Sequence, residues 1–275
     1  MLEHAMGTVQ IPIVPERVVV LDSAPLDAAL ALGVTPVGRS EIISSPIYPK
    51  VVNDMPSVGS GLQPNLEAVL QLNPDLILGS TIITDGYYPR LSRIAPTVFT
   101  EGNGREGNWQ AHFLLHADAL GQLGAAERLL ADYQQRVDAL KLRIGPAPQE
   151  TTVSVVSNWS GGVIGYTTQS FSGSVLQDLG FNRNPAQDTS KNYAIQPSKE
   201  DLAAIDGDII FLIYNATSEG SVTKGDFIRD PLWSTLNAVQ QGSVCEVNVA
   251  TWAGGRSILA ANQILTDIDR CLAQL

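Results

Sequence analysis

The sequence predicts an α/β protein of two similar lobes, each a parallel-rich sheet with helices on its faces, joined by one long helix. Three observations carry this. Short apolar runs alternate with helical patterns along the chain, as in a parallel sheet covered by helices. One stretch occurs twice: Pro64-Asn65-Leu66-Glu67 leading to Pro74-Asp75 and Leu76-Ile77-Leu78 is matched, 133 residues on, by Pro197-Ser198-Lys199-Glu200 leading to Gly207-Asp208 and Ile209-Ile210-Phe211. Between the copies, Ala125 to Ile144 places Leu129, Leu130, Tyr133, Val137, Leu140 and Ile144 on one side of a helix, with charged and amide residues between. The expected division is an N-terminal lobe over 1–120, a connecting helix over 121–147 and a C-terminal lobe over 148–275.

In the first lobe, Arg17 to Leu21 is a buried strand. Asp22-Ser23-Ala24-Pro25 turns the chain into an apolar helix, Leu26 to Leu32, closed by Gly33. Thr35 to Gly38 starts the next strand, and a polar loop carries Tyr48. In the repeated stretch Asn65 is an N-cap type, and Glu67 in the first turn suits the positive end of the helix dipole. The strand after Asp75 shows little alternation, as expected of one buried on both faces. A loop with Asp85, Tyr87, Tyr88 and Arg90 follows, then a short helix to Ala95, a strand at Thr97 to Phe99 and a Gly/Asn-rich loop to Asn108. Trp109 to Leu120 is helical, and Gly145-Pro146-Ala147-Pro148 stops the long helix.

The second lobe opens with a strand at Thr152 to Ser157, turned at Asn158 to Gly162. Phe171 to Leu179 is a helix ended by Gly180, and Asn182 to Tyr193 is polar and irregular. In the second copy Ser198 and Glu200 take the cap and first-turn positions, and the strand ends at Tyr214. Pro231 to Ala238 is a short helix, Ser243 to Val249 a strand, Thr251 to Arg256 a loop, and Ser257 to Leu272 a closing helix. In open α/β sheets ligands sit beyond the carboxyl ends of the strands. Two facing lobes would therefore form a cleft there.

Composition excludes several classes. A net charge of −11 argues against a general nucleic-acid binder, which needs a basic face. No apolar run approaches the roughly 20 residues of a membrane helix. No signal segment is recognisable, so the chain reads as a mature or trimmed form. There is no phosphate loop, no dinucleotide fingerprint and no nucleophile elbow, and no catalytic residues are assigned. His112 and His116 stand one helical turn apart and could grip zinc, but no third ligand is apparent, so helix packing is preferred and no metal site is assigned. His4 is read as solvated. Cys245 and Cys271 fit either one disulfide or two buried thiols.

The candidate functional residues fall into two groups. Glu67 and Glu200, one per lobe, can present two carboxylates to arginines of a partner, where charge steers association and fixes orientation. Tyr87, Trp159, Tyr193, Tyr214 and Trp252 sit in loops or at strand ends, and each reads either as a packing cap or as a ligand contact. Arg39 and Arg256 offer planar donor forks for carboxylate or oxyanion groups, whereas Arg90 reads as a solvated charge. Trp109 and Trp233 start helices and read as core.

Taken together, the chain resembles the extracytoplasmic substrate-binding proteins of ABC importers for ferric siderophores, haem and cobalamin. The resemblance runs through His4-Ala5-Met6-Gly7, Pro15-Glu16-Arg17-Val18-Val19 and Leu32 to Gly38, and through Pro64 to Glu67 with Asn73 to Ile77. It continues in Ser170-Phe171-Ser172-Gly173 with Leu179-Gly180, in Asp230 to Trp233 with Leu236, and in Trp252 followed by Ala260-Ala261. It implies two Rossmann-like lobes joined by one long helix, small lobe closure, and docking of Glu67 and Glu200 on a permease dimer. It also implies a periplasmic or extracytoplasmic place, with or without a lipid anchor, and a monomer with no prosthetic group. The first residues and the Ser170 to Gly173 region are most similar to the ferric-siderophore branch. A hydroxamate or citrate-type iron chelate presents oxygen-rich surfaces that Arg and Tyr donors with Trp walls suit. Haem, with Tyr87, Tyr193 or Tyr214 as axial ligand, and cobalamin are the alternatives within the family. An α/β enzyme is the alternative outside it.

Overall fold

A computed structural model describes residues 1–42, 45–83, 86–102, 105–145, 147–159, 162–198, 200–214 and 223–275, excepting the side chains of Ala147, Asn158, Trp159 and Ile228. The chain forms two compact units. The first holds residues 1–104, 108–133 and 254–260, and the second holds 105–107, 134–253 and 261–275. The boundaries between them fall within the long helix and the closing helix.

The first unit opens with a hairpin of β1 (Leu2–His4) and β2 (Gly7–Val9). Its sheet consists of β3 (Val18–Val20), β4 (Gly38–Arg39), β5 (Leu76–Ser80) and β6 (Thr97–Thr100), in the order β4-β3-β5-β6 and parallel throughout. Every residue of β3, β5 and β6 is buried, which is why their sequences do not alternate. Helices α1 (Ser23–Ala31), α2 (Leu66–Gln71) and α3 (Trp109–Ala119) belong to this unit. Val19, Ile77 and Phe99 from the sheet, with Leu21 just beyond β3, form one core with Val58, Val69 and Leu91. Trp109 is buried edge-on against Tyr133, ring centroids 5.2 Å apart. That Tyr133 lies on α4 (Leu123–Ile144), whose first part belongs to this unit.

The second unit is built on a mixed sheet. Strand β7 (Thr152–Trp159) forms an antiparallel hairpin with β8 (Gly162–Tyr166), and β9 (Asn182–Arg183) pairs with the start of β7. Helix α5 (Phe171–Leu179) lies between β8 and β9 in the chain, and β10 (Ala194–Ile195) runs antiparallel to β8. Strands β11 (Ile209–Tyr214) and β12 (Val244–Asn248) continue parallel to β7. The closing helix is α6 (Ile258–Leu272). Phe227 stacks on Trp233 at 5.0 Å beneath Val156, Ile210 and Leu212, so Trp233 is core as expected.

The repeat has a physical basis in its aspartate. Asp75 accepts hydrogen bonds from Glu16 N (2.8 Å) and Arg17 N (2.9 Å), while its own N–H donates to the Arg17 carbonyl. Asp208 accepts from Thr152 N (2.8 Å), and its N–H donates to the Thr152 carbonyl. In both units the residue that opens the central strand thus ties down the start of the neighbouring parallel strand. That fixes a register in which a one-residue slip would exchange the two faces.

The helical half of the repeat holds in one copy only. Asn65 Oδ1 accepts from Glu67 N and Ala68 N, both at 3.1 Å, so it caps α2 as the sequence indicates. In the second copy only a 3₁₀ turn forms, Leu202–Ile205, and Glu200 precedes it instead of lying in a first α-turn. The reason lies in where the carbonyls go. Asn184 Nδ2 donates to the Ala203 and Asp206 carbonyls, and Gln187 Nε2 to that of Ala204. Side-chain amides thereby take acceptors that a further helical turn would have used.

One other expectation changes, and one alternative left open is decided. His4 is not solvated: it is 8% exposed, its Nδ1 accepts from Phe99 N (3.2 Å), and its Nε2 faces Tyr88 Oη (3.2 Å). The β1–β2 hairpin folds onto the end of β6, and burial lowers the His4 pKa. Cys245 and Cys271 form a disulfide between β12 and α6, with Cα atoms 5.9 Å apart. Closing a loop of 26 residues should contribute about 3–4 kcal/mol. The double variant Cys245→Ala/Cys271→Ala is therefore expected to unfold at lower urea than the oxidised parent by that amount. Reductant should have no effect on the variant, and coincident unfolding curves with and without reductant for the parent would refute this.

Candidate functional site

In the first unit the residues just beyond the strands converge on Asp22. Its carboxylate caps α1 by accepting from Ser23 N (2.7 Å), accepts from Ser80 Oγ at the end of β5 (3.1 Å), and pairs with Arg256 Nη1 (3.3 Å). β3 and β5 lie side by side, but the chain leaves β3 first for β4 on its other flank. Asp22 and Ser80 therefore stand where the strand order reverses, the place at which open α/β sheets bind ligands. The Arg256 and Asp22 side chains are only 12% and 13% exposed. Arg256 has a left-handed backbone, φ 63°, a conformation that costs a non-glycine residue energy and is held by its surroundings.

Tyr48 belongs to the same cluster. Its hydroxyl is buried and has no hydrogen-bond partner among the described residues, as is the case for those of Ser40, Ser45 and Ser257. Burial first, then the nearby Asp27 and Asp22 carboxylates, raise the Tyr48 pKa, and Arg256 opposes them. Asp27, on α1, accepts from Leu259 N (2.9 Å) and Ala260 N (3.0 Å), satisfying orphan donors at the start of α6. Its burial is complete and pushes its pKa up to about 7, against those two hydrogen bonds.

The remaining predicted residues of this unit are less concentrated. Arg39 is committed to the fold, donating through Nε to the Val52 carbonyl (2.8 Å) and through Nη1 to that of Ser40 (3.0 Å). Tyr87 is half-buried against the core at the start of a short helix, Tyr88–Leu91, and Arg90 is exposed. His112 is buried and faces Asn108 Nδ2 through Nε2 (3.0 Å). His116 is fully buried, and neither ring nitrogen has a hydrogen bond of normal length among the described residues. Burial, then the neighbouring His112, hold its pKa down to about 3. Among the described residues no three His, Cys, Asp or Glu side chains are grouped to hold a metal ion.

In the second unit the predicted residues separate. Tyr214 ends β11 and is half-buried. Trp159 ends β7, and its side chain lies outside the described residues. Tyr193 lies elsewhere. Thr167 N donates to its carbonyl, β10 pairs Ala194 with Tyr166, and Tyr166 pairs with Val155. Because β10 enters where β8 leaves, Tyr193 stands toward the amino-terminal half of β7. There Arg105 Nη1 donates to Tyr193 Oη (2.9 Å), with the guanidinium 5.6 Å from the ring centre. Arg105 is exposed and is held by backbone pairing of 105–107 with Gln169 to Phe171. Sequence reasoning missed it, because a lone arginine in a Gly/Asn-rich loop carries no local signal. The sequence marks Asp22 only as a turn residue, and the fold shows what it gathers.

Trp252 is corrected from ligand wall to core. It is 0% exposed, stacks on Phe211 at 4.8 Å and donates from Nε1 to Asp267 Oδ2 (3.0 Å). The segment Val249–Trp252 is a short helix, which turns the ring inward where a loop was expected. Glu67 and Glu200 are both exposed, and neither makes an ion pair among the described residues.

Comparison with known proteins accounts for this architecture. The chain is 36% identical to a probable siderophore-binding lipoprotein of Bacillus subtilis, YfiY, over 98% of its own length and 86% of that protein's. It is 30% identical to the Fe(3+) dicitrate-binding periplasmic protein FecB of Escherichia coli, with 96% and 87% covered. Among solved structures, Staphylococcus aureus SirA complexed with staphyloferrin B superposes with a TM-score of 0.86 at 29% identity, covering 99% of this chain and 98% of that one. The periplasmic binding protein family model matches residues 18–249. The chain is a member of the periplasmic binding protein family.

Proposed function

We propose that this protein captures a ferric siderophore outside the cytoplasm and delivers it to the permease of an ABC importer. The observation that carries the reading is similarity over nearly the whole chain to proteins named for siderophore and ferric-citrate binding. The chemistry present agrees with it. Each unit carries cationic and phenolic donors of the kind that suits an oxygen-rich, anionic citrate- or hydroxamate-type iron chelate: Arg256 and Tyr87 in the first, Arg105, Tyr193 and Tyr214 in the second. The iron is cargo already ligated by its chelator, and the protein performs capture and release without a covalent step. Arg39 and Trp252 are left out of the ligand set because packing uses their polar groups. A disulfide suits an oxidising compartment, and the relatives are named as periplasmic proteins or lipoproteins. No described helix is long and apolar enough to cross a membrane. Glu67 and Glu200 serve as the docking carboxylates, with arginines of the permease as their partners.

Intrinsic tryptophan fluorescence, titrated with ferric citrate, ferric hydroxamates, ferric catecholates, haem and cobalamin, tests the ligand. Saturable quenching by one ferric chelate, and none by its iron-free form, is expected. Quenching by haem or cobalamin alone would move the protein to another branch of the family. Charge reversal at both Glu67 and Glu200 is expected to abolish iron uptake while leaving chelate affinity within twofold. Unchanged uptake would refute the docking assignment.

A further inference from the structure

Asp27 is a buried acid that capture as described above leaves unused, although it belongs to the cluster around Arg256. It is fully buried on α1, and each carboxyl oxygen accepts one backbone N–H at the start of α6, from Leu259 and from Ala260. Among the described residues no cation is bonded to it, whereas Arg256 is bonded to the cluster's other carboxylate, Asp22. The charges acting on the buried Tyr48 hydroxyl are Asp27, Asp22 and Arg256. Two carboxylates against one guanidinium leave one negative charge over in a place sheltered from water. A charge so placed is costly, and a buried carboxyl meets the cost by keeping its proton. Burial accordingly pushes the Asp27 pKa up to about 7.

The other surroundings do not supply the missing positive charge. Asp27 is the only titratable residue within α1, and β3 and β5, against which α1 lies, carry none. α3, packed on α1, brings His112, His116 and Asp118. His112 faces Asn108 through Nε2, burial keeps His116 neutral down to about pH 3, and Asp118 is exposed. Arg39 on β4 is held by the Val52 and Ser40 carbonyls. α6 has no charged residue before Asp267, which is bonded to Trp252 and Arg270. Tyr48 Oη has no hydrogen-bond partner among the described residues, and a hydroxyl can accept or donate as a nearby proton comes and goes.

We propose that the proton is a second ligand of this site. An anionic chelate that engages Arg256 draws its positive charge away from the aspartates and adds negative charge beside them, so capture brings a proton onto Asp27. This rests on the placement of the chelate at Arg256 proposed above. By linkage, a chelate that raises the proton occupancy of the site must itself bind more weakly as protons become scarce. Affinity therefore falls as pH rises past neutrality. The site favours capture in mildly acidic surroundings and release in alkaline ones.

The test uses the full chain with ferric citrate and a ferric trihydroxamate. Whichever of them quenches tryptophan fluorescence is titrated calorimetrically near pH 7.5 in two buffers of different ionisation enthalpy, which reads the protons taken up per chelate. The parent is expected to take up about half a proton more than Asp27→Asn. The ratio of parent to variant affinity is expected to fall about fivefold from pH 6 to pH 9, and protonation of the chelate itself cancels in that ratio. Equal proton uptake and a constant ratio would overturn the proposal. Should Asp27→Asn fail to fold, carbon NMR of the aspartate-labelled parent follows the carboxyl directly, with the gallium complex of the same chelator in place of paramagnetic iron. The aspartate that titrates near neutrality should shift its midpoint upward when the complex binds, and an unmoved midpoint refutes the coupling. If a chelate binds but Arg256→Gln leaves its affinity unchanged, the ligand reading stands and the coupling through Arg256 falls. If neither chelate binds the parent, the ligand reading falls and the coupling with it.

Discussion

Replacing Asp27 by Asn and His116 by Leu is expected to tilt the pH dependence of stability in opposite directions. Asp27 keeps its proton in the folded chain up to about pH 7, whereas the unfolded chain releases it near 3.8. Between those values the folded state binds more protons, so this group makes stability fall as pH rises, by about 4 kcal/mol across the window. His116 acts the other way. The unfolded imidazole gains a proton near 6.5 and the folded one only near 3, so this group makes stability fall as pH drops, by about 5 kcal/mol. From about pH 4 to 6.5 the two slopes oppose each other. Asp27→Asn should leave the histidine slope exposed and give a chain that, relative to the parent, gains stability as pH rises. His116→Leu should leave the aspartate slope and give the reverse. Urea unfolding at a series of pH values reads both, and parallel pH profiles for the parent and either variant would refute the assignment.

Asp22→Ala is expected to cost about 2–3 kcal/mol, because it removes one charged partner of a cation that is itself mostly buried. It also removes the N-cap of α1, typically worth about 1 kcal/mol. Asp22→Asn separates the two effects. The amide oxygen can still accept from Ser23 N, so the variant should retain the cap and lose only the charge pairing. Urea unfolding at pH 7 should rank the parent above Asn and Asn above Ala. Equal stability for all three would mean that Arg256 draws its support elsewhere.

What the sequence makes legible follows from the range of the interactions. Patterns that depend on neighbours along the chain read correctly: the unalternated runs of β3, β5 and β11, the Asn65 cap, the long helix and the hairpin at Gly162. Misreadings occur where a partner comes from far along the chain. His4 has Phe99 and Tyr88 to shelter it, ninety-five and eighty-four residues away. Trp252 is turned inward by Phe211 and Asp267. The second copy of the repeat loses its α-helix to amides of Asn184 and Gln187. Arg256 was readable as a donor, but not its pairing with Asp22, 234 residues away. Arg105 has its partner Tyr193 eighty-eight residues away.

The stitch made by Asp75 and Asp208 bears on how such a chain came to be doubled. The two copies do not agree on a helix, yet both keep the bond that sets one strand against the next. Helix ends and loops can drift after a gene segment is copied, since each can find other partners. Strand alignment has no such latitude, because all of the side chains on both faces depend on it at once. The oldest common feature of the two halves would then be a seam, and a third half-sized relative would be better sought by that seam than by any docking or ligand residue.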